Sequence, residues 1–229
     1  MWCRTTRSAP GYAGRLMTVL LLIRHAHTDA AGKRLTGWAR GVHLNDRGRL
    51  EAQTLADRLA ELPIRAVYSS PLERCRETAG PLARRLGLPI VTRRELLEVD
   101  YGDWTGRPIS GLRRTKRWRT VQQAPSRARF PGGESLLEVQ TRASAEVERI
   151  ALAHPADAVA VVSHADVVRV LLAHYLGMPL DGLQRLGVEP ASVSVLALAD
   201  GHTRLLKVND TGDLAALRAR KAARRKLRG

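Results

Sequence analysis

The apolar positions of this chain change period several times, and each change marks an element. Residues 18–23, Thr-Val-Leu-Leu-Leu-Ile, form a continuous apolar run of strand length, well short of the roughly 20 residues a membrane span requires. The run stops at a polar string, Arg24-His25-Ala26-His27-Thr28-Asp29. Asn45-Asp46-Arg47-Gly48 opens a helix in which Ala52, Leu55, Ala56, Leu59 and Leu62 recur at helical spacing. Ala66-Val67-Tyr68 predicts a short strand closed by Ser69-Ser70-Pro71. Residues 72–86 are helical in composition, with Pro81 expected to kink or split the helix. Ile90-Val91 predicts another short strand, whereas 107–133 reads as an irregular, Arg-rich loop or cap excursion. A helix over 134–153 aligns Leu136, Val139, Ala143, Val147 and Ile150 on one face. The strand 158–162 ends in Ser163-His164 and runs directly into a helix over 165–176. Residues 192–198 and 204–208 predict a final strand pair.

Strands alternating with helices indicate a three-layer α/β/α sandwich around a mostly parallel central sheet. In such a sheet the chemistry gathers at the carboxyl ends of the strands. Two of the predicted strands end in a histidine, His25 and His164. The second is followed at once by a helix, whose N-terminal amides and dipole favour a bound anion. A length of 229 residues suits one generous α/β domain. Arg4, Arg7 and Arg15 ahead of the apolar run resemble a short signal peptide. A buried first strand accounts better for the dense polar chemistry at its end. On that reading Met17 is the natural start, 1–16 a disordered extension, 17–213 the folded domain and 214–229 a basic tail.

Charge then narrows the partner. Lys and Arg number 38 against 22 Asp and Glu, a formal net charge of +16, which calls for an anionic partner: nucleic acid, a membrane surface or a phosphorylated small molecule. A single Phe and 4% aromatic residues weigh against a reader of single strands, which stacks bases on aromatic side chains. Two cysteines, Cys3 and Cys75, exclude a disulfide framework and a cysteine zinc finger, and fit a reduced, cytoplasmic compartment. The excess is local. Residues 1–16 contribute +3, residues 214–229 contribute +7, and residues 104–133 hold eight basic side chains and no acid. The tails read as solvated, with no specific nucleic acid and no membrane expected, while the basic excursion can draw in an anionic substrate.

The residues that can do chemistry sit beside this charge. His25 stands at a strand end next to Arg24; a neutral imidazole can attack phosphorus when arginines neutralise the phosphoryl oxygens. Arg74 lies at a second strand-to-helix junction, Ser69-Ser70-Pro71-Leu72-Glu73-Arg74. Glu98, Asp100 and Asp103 offer three acids in one turn-rich segment, any of which can protonate a leaving oxygen, and spacing does not choose among them. The string His25-x-His27-x-Asp29 also suits a binuclear metal hydrolase, although Ala30 stands where a closing histidine is needed. A degenerate fold that binds anions without catalysis is a further reading of the arginines.

Five strings occur in order: Arg24-His25-x-x-Thr28; Ser69-Ser70-x-x-x-Arg74 with Thr78-Ala79; Glu98 ahead of Gly102-Asp103-Trp104-x-Gly106; Pro131-Gly132-Gly133-Glu134-Ser135; and Val162-Ser163-His164. Together they resemble the histidine phosphatase superfamily, its phosphoglycerate mutase-like branch, and most closely an actinobacterial group described as phosphomutase-like. The resemblance implies that His25 is the nucleophile that becomes a phosphohistidine and that Glu98 is the proton donor. It implies that Arg24, Arg74 and His164 line the phosphate pocket, with His164 stabilising the transferring group and Thr28 in support. It implies no metal and no cofactor. The chain departs from the family pattern at Ala26, His27, Ala31 and Thr105, where Gly, Glu, Asn and Glu are usual; these changes bear on efficiency and substrate choice. The expectation is a phosphomonoester hydrolase acting on a small phosphorylated metabolite, with a phosphoglycerate-type phosphomutase as the alternative.

Overall fold

Six strands join in one sheet in the order β3-β2-β4-β1-β5-β6. They are β1 (Thr18–Arg24), β2 (Ile64–Ser69), β3 (Ile90–Thr92), β4 (Ala158–Ser163), β5 (Val193–Ala199) and β6 (His202–Asp210). The computed structural model describes residues 17–199 and 202–212. The expectations for 1–16 and 214–229 lie outside the described residues. Strands β3, β2, β4 and β1 run parallel, and β5 pairs antiparallel with both β1 and β6. The sheet is thus mostly parallel, as the alternation of elements predicts.

The helices are α1 (Asp46–Leu59), α2 (Glu73–Leu86), α3 (Ile109–Leu112), α4 (Lys116–Gln123), α5 (Leu136–Ala153) and α6 (Ala165–Tyr175). Because successive strand side chains point to opposite faces, β1 feeds two cores. Leu20 and Leu22 pack with Val139, Val147 and Ile150 of α5 and Val168 and Leu171 of α6. Leu21 and Ile23 pack with Leu55 and Ala56 of α1 and Ala79 and Leu82 of α2. Burial on both faces explains the unbroken apolar run. Each of these leucines and isoleucines contributes about 1.5–3 kcal/mol by leaving water.

Three details differ from the pattern reading. Pro81 lies inside α2, which continues unbroken from Glu73 to Leu86. Cys75 and Ala79 before the proline and Leu82 and Ala83 after it are all buried against the sheet, so packing on both sides offsets the roughly 3 kcal/mol a helix-interior proline costs. Leu62 lies outside α1, because a residue before proline, here Pro63, is driven from the helical region. The excursion 107–133 is not wholly irregular: it carries α3, α4 and a 3-10 turn at Pro125–Arg127. Thr115 caps α4 by accepting from the Trp118 N–H, and Trp118 packs at 6.1 Å from Trp104. Ser135 and Glu138 form a capping box at the start of α5, worth about 1 kcal/mol.

Candidate active site

Strand register places the two histidines side by side. In the parallel β1–β4 pair Arg24 lies opposite Ser163, so the next residues on the two strands are His25 and His164. Their ring centroids are 5.3 Å apart, edge to face. β2 flanks β4 on its other side with Ser69 opposite Val162, which brings Ser70 to His164: Oγ and Nε2 are 2.8 Å apart. The rim predicted from sequence is therefore built by three adjacent strand ends.

His25 is buried, and its Nδ1 lies 2.8 Å from the Ala26 carbonyl oxygen. A carbonyl only accepts, so Nδ1 carries the ring proton and Nε2 the lone pair. Burial, reinforced by the charges of Arg74 and Arg24, lowers the His25 pKa to about 3. The same causes hold His164 well below the ordinary histidine value, burial first and Arg74 next. Both imidazoles are neutral at physiological pH. The chain leaving β1 is tethered to α2: the Ala26 N–H donates to Thr78 Oγ1 at 3.0 Å, and that hydroxyl donates to the Arg74 carbonyl at 2.7 Å.

Arg74 is completely buried, its Nη2 donating to the Gly37 carbonyl at 2.7 Å. Arg24 donates through Nη1 to the Val188 carbonyl at 2.7 Å. Arg74 is held through both Nη atoms, since its Nη1 also donates to the Ala39 carbonyl at 3.5 Å, and each arginine keeps a buried Nε with no hydrogen-bond partner among the described residues. A buried charged donor left unsatisfied is costly, and an anion with several oxygens relieves that cost.

Of the three candidate acids, the structure brings only Glu98 into the cavity that His25 lines. Arg24, His25, Thr28 and Glu98 line one cavity of about 340 Å³. Burial, and then the nearby charge of Asp166, raise the Glu98 pKa to about 7, so its carboxyl can both give and take a proton near neutrality. Asp100 instead closes a turn by accepting from the Gly102 N–H at 2.9 Å, and Asp103 is exposed. The His-x-His-x-Asp string does not converge. His27 Nδ1 pairs with Glu51 of α1 at 2.7 Å, and Asp29 accepts from Asn45 Nδ2 at 3.1 Å. Among the described residues no three His, Cys, Asp or Glu side chains are grouped to hold a metal ion.

The excursion roofs the cavity. Ile109, Arg113, Trp118 and Val121 of α3, α4 and their junction line it. Of the eight basic residues in 104–133, Arg113 alone reaches it. Several contributors escaped sequence reasoning. Asp166 lines the cavity at the start of α6, and accepts from Tyr101 OH at 2.8 Å and Arg169 Nη1 at 3.0 Å. Cys75 Sγ sits 3.4 Å from His164 Nε2. Trp38 Nε1 donates to the Glu98 carbonyl at 2.6 Å. Each acts through a partner distant in the chain, and the sequence carries no local signal of that.

Two neutral imidazoles, two arginines with spare buried donors and a carboxyl poised near neutrality suit an anionic ligand and proton transfer. Residues 20–211 match the family profile described as histidine phosphatase superfamily (branch 1), and the chain belongs to that superfamily. Phosphoserine phosphatase 1 of Hydrogenobacter thermophilus is 30% identical over 200 residues, which cover 85% of this chain and 93% of that protein. Bacillus stearothermophilus YhfR has a similar solved structure, with TM-score 0.79 and 29% identity over 84% of this chain and 97% of its own. The mycobacterial glucosyl-3-phosphoglycerate phosphatase Rv2419c gives TM-score 0.77 and 26% identity, over 84% of this chain and 99% of its own.

Proposed function

We propose that this protein is a phosphomonoester hydrolase that works on a small phosphorylated metabolite through a phosphohistidine at His25. The observation that carries the reading is the pairing of a lone-pair Nε2 on His25 with the unpartnered buried Nε donors of Arg24 and Arg74. The phosphatases among its relatives support hydrolysis over return of the phosphoryl group to an acceptor. No helix among the described residues is long and apolar enough to cross a membrane, and the sparse cysteines support a reduced, cytoplasmic setting.

In the first half-reaction His25 Nε2 bonds to phosphorus as the bond to the leaving oxygen breaks, and Glu98 passes its proton to that oxygen. Arg24 and Arg74 neutralise the non-bridging oxygens, and their burial strengthens those contacts. Ser70 Oγ, 2.8 Å from His164 Nε2, holds that ring beside His25, and His164 stabilises the transferring phosphoryl group. In the second half-reaction the Glu98 carboxylate takes a proton from water. The water oxygen bonds to phosphorus, the N–P bond breaks, and phosphate leaves with His25 restored. The arginines supply the positive charge, and the reading invokes no metal. Thr28 and the apolar wall of Leu35, Ile109 and Trp118 flank the leaving group.

The test is phosphate release from a panel of phosphomonoesters, with radiolabelled phosphoenzyme trapped in parallel. The wild type is expected to take up acid-labile, base-stable label. His25→Ala is expected to lose that label and at least roughly 10³-fold in turnover. Full turnover by His25→Ala overturns the reading.

A further inference from the structure

Arg142 lies in α5, 44 residues from Glu98 in the chain, yet its guanidinium is wrapped by the turn that carries that acid. Nη1 donates to the carbonyls of Glu95 at 2.6 Å and Leu97 at 2.8 Å, and Nη2 to the carbonyl of Glu98 at 2.8 Å. Nε and Nη2 form a two-pronged pair with the Glu134 carboxylate at 2.8 and 2.9 Å. These five bonds use all five N–H groups that an arginine possesses. Glu134 in turn accepts from the Asp100 N–H at 2.9 Å, on the other side of the acid.

The Glu98 carboxyl has little else to place it. Its hydrogen bond among the described residues is from the adjacent Val99 N–H, at 3.1 Å. Its position is therefore inherited from the backbone of 95–98. The glycines of the 131–135 string let Glu134 reach that backbone. A Cβ on Gly133 would fall 2.2 Å from the Asp100 carbonyl oxygen, and one on Gly102 would fall 2.1 Å from that of Pro131. The two segments touch main chain to main chain, and only glycine permits that approach.

We propose that Arg142, oriented by Glu134, is a positioning residue for the Glu98 carboxyl, holding its acid proton at the leaving oxygen of the substrate. The inference rests on the role given above to Glu98. Lysine cannot replace this arginine, because an ammonium offers three donors around a point and no planar fork. An acid displaced by about 1 Å loses much of its effect, on the order of 10²-fold for a misplaced catalytic group. The loss falls on poor leaving groups, which need the proton, and spares good ones.

The experiment compares kcat/KM, which reports transfer to His25, for phenyl phosphate and p-nitrophenyl phosphate. The wild type is measured beside Arg142→Lys, Glu134→Gln and Glu98→Gln, with melting temperatures alongside. Arg142→Lys and Glu134→Gln are expected to lose about 10-fold on phenyl phosphate and under about 3-fold on p-nitrophenyl phosphate, a muted copy of the Glu98→Gln pattern. Glu134→Gln keeps its shape and answers where Arg142→Lys does not fold. If Glu98→Gln shows the leaving-group dependence while both other variants lose equally on the two substrates, or lose nothing, the positioning role is overturned. If Glu98→Gln itself lacks that dependence, the assignment of Glu98 as the acid fails instead.

Discussion

Two concavities of this molecule contain the same residue types in opposite states. The larger, an open groove of about 830 Å³ between α1 and α2, is lined by His43, Glu73, Arg76 and Glu77. The smaller, of about 340 Å³, contains His25, Glu98 and Arg24. In the groove, the Glu77 carboxylate 2.5 Å away raises the His43 pKa. Glu73 is lowered there, by the backbone N–H groups of Glu73 itself and Gly41. In the cavity burial dominates: His25 is lowered to about 3 and Glu98 raised to about 7. The groove stabilises the charged forms of His43 and Glu73, which are the inert forms for attack or proton donation. The cavity stabilises the neutral imidazole that can attack and the neutral carboxyl that can donate. Titratable groups pushed away from their charged forms around a buried cation, and not volume, distinguish the candidate site.

Helix α2 carries this contrast within three residues, and substitution there tests it most severely. Arg74→Gln removes a buried cation beside His25 and is expected to lower kcat/KM about 10²–10³-fold; steady-state kinetics on p-nitrophenyl phosphate measures it, and a loss shared equally by Arg76→Ala would erase the distinction. A smaller, directional effect is expected at Asp166. Its negative charge favours the protonated form of Glu98, so wild-type kcat/KM on phenyl phosphate, a poor leaving group, is expected to fall as pH rises through about 7. Asp166→Asn removes that charge, lowers the Glu98 pKa and moves the falling limb to lower pH, which a pH–rate profile reads directly. A limb that stays in place would show that burial alone sets the acid. The smallest effect is expected at Arg76, which is exposed and lines the groove. Arg76→Ala should leave kcat/KM unchanged, and a clear loss would mean that the groove takes part in turnover.

Much of this was legible from local strings. The strand ends at His25 and His164, the turn before Arg74 and the segment around Glu98 are each written in a few consecutive residues, and their order pointed to the family. Helix α4 was not legible, because Lys116-Arg-Trp-Arg-Thr-Val-Gln-Gln123 has only Trp118 and Val121 as apolar positions and forms around their packing. Pro81 misled because its local cost is overridden by burial on both sides of it. The choice of Glu98 over Asp100 and Asp103 needed the resemblance, since the three share one turn and differ only in where the backbone aims them.

The sequence by itself determined the alternation of layers and which side chains stand at the strand ends, because apolar period and turn chemistry act over a few residues. Tertiary structure alone decided what those side chains can do. The register of β1 against β4 set the histidines 5.3 Å apart. Burial neutralised them, and Arg142 drew the turn of Glu98 into place from another helix. Desolvation and convergence depend on what surrounds a group in space, and residues far apart in the chain supply those surroundings.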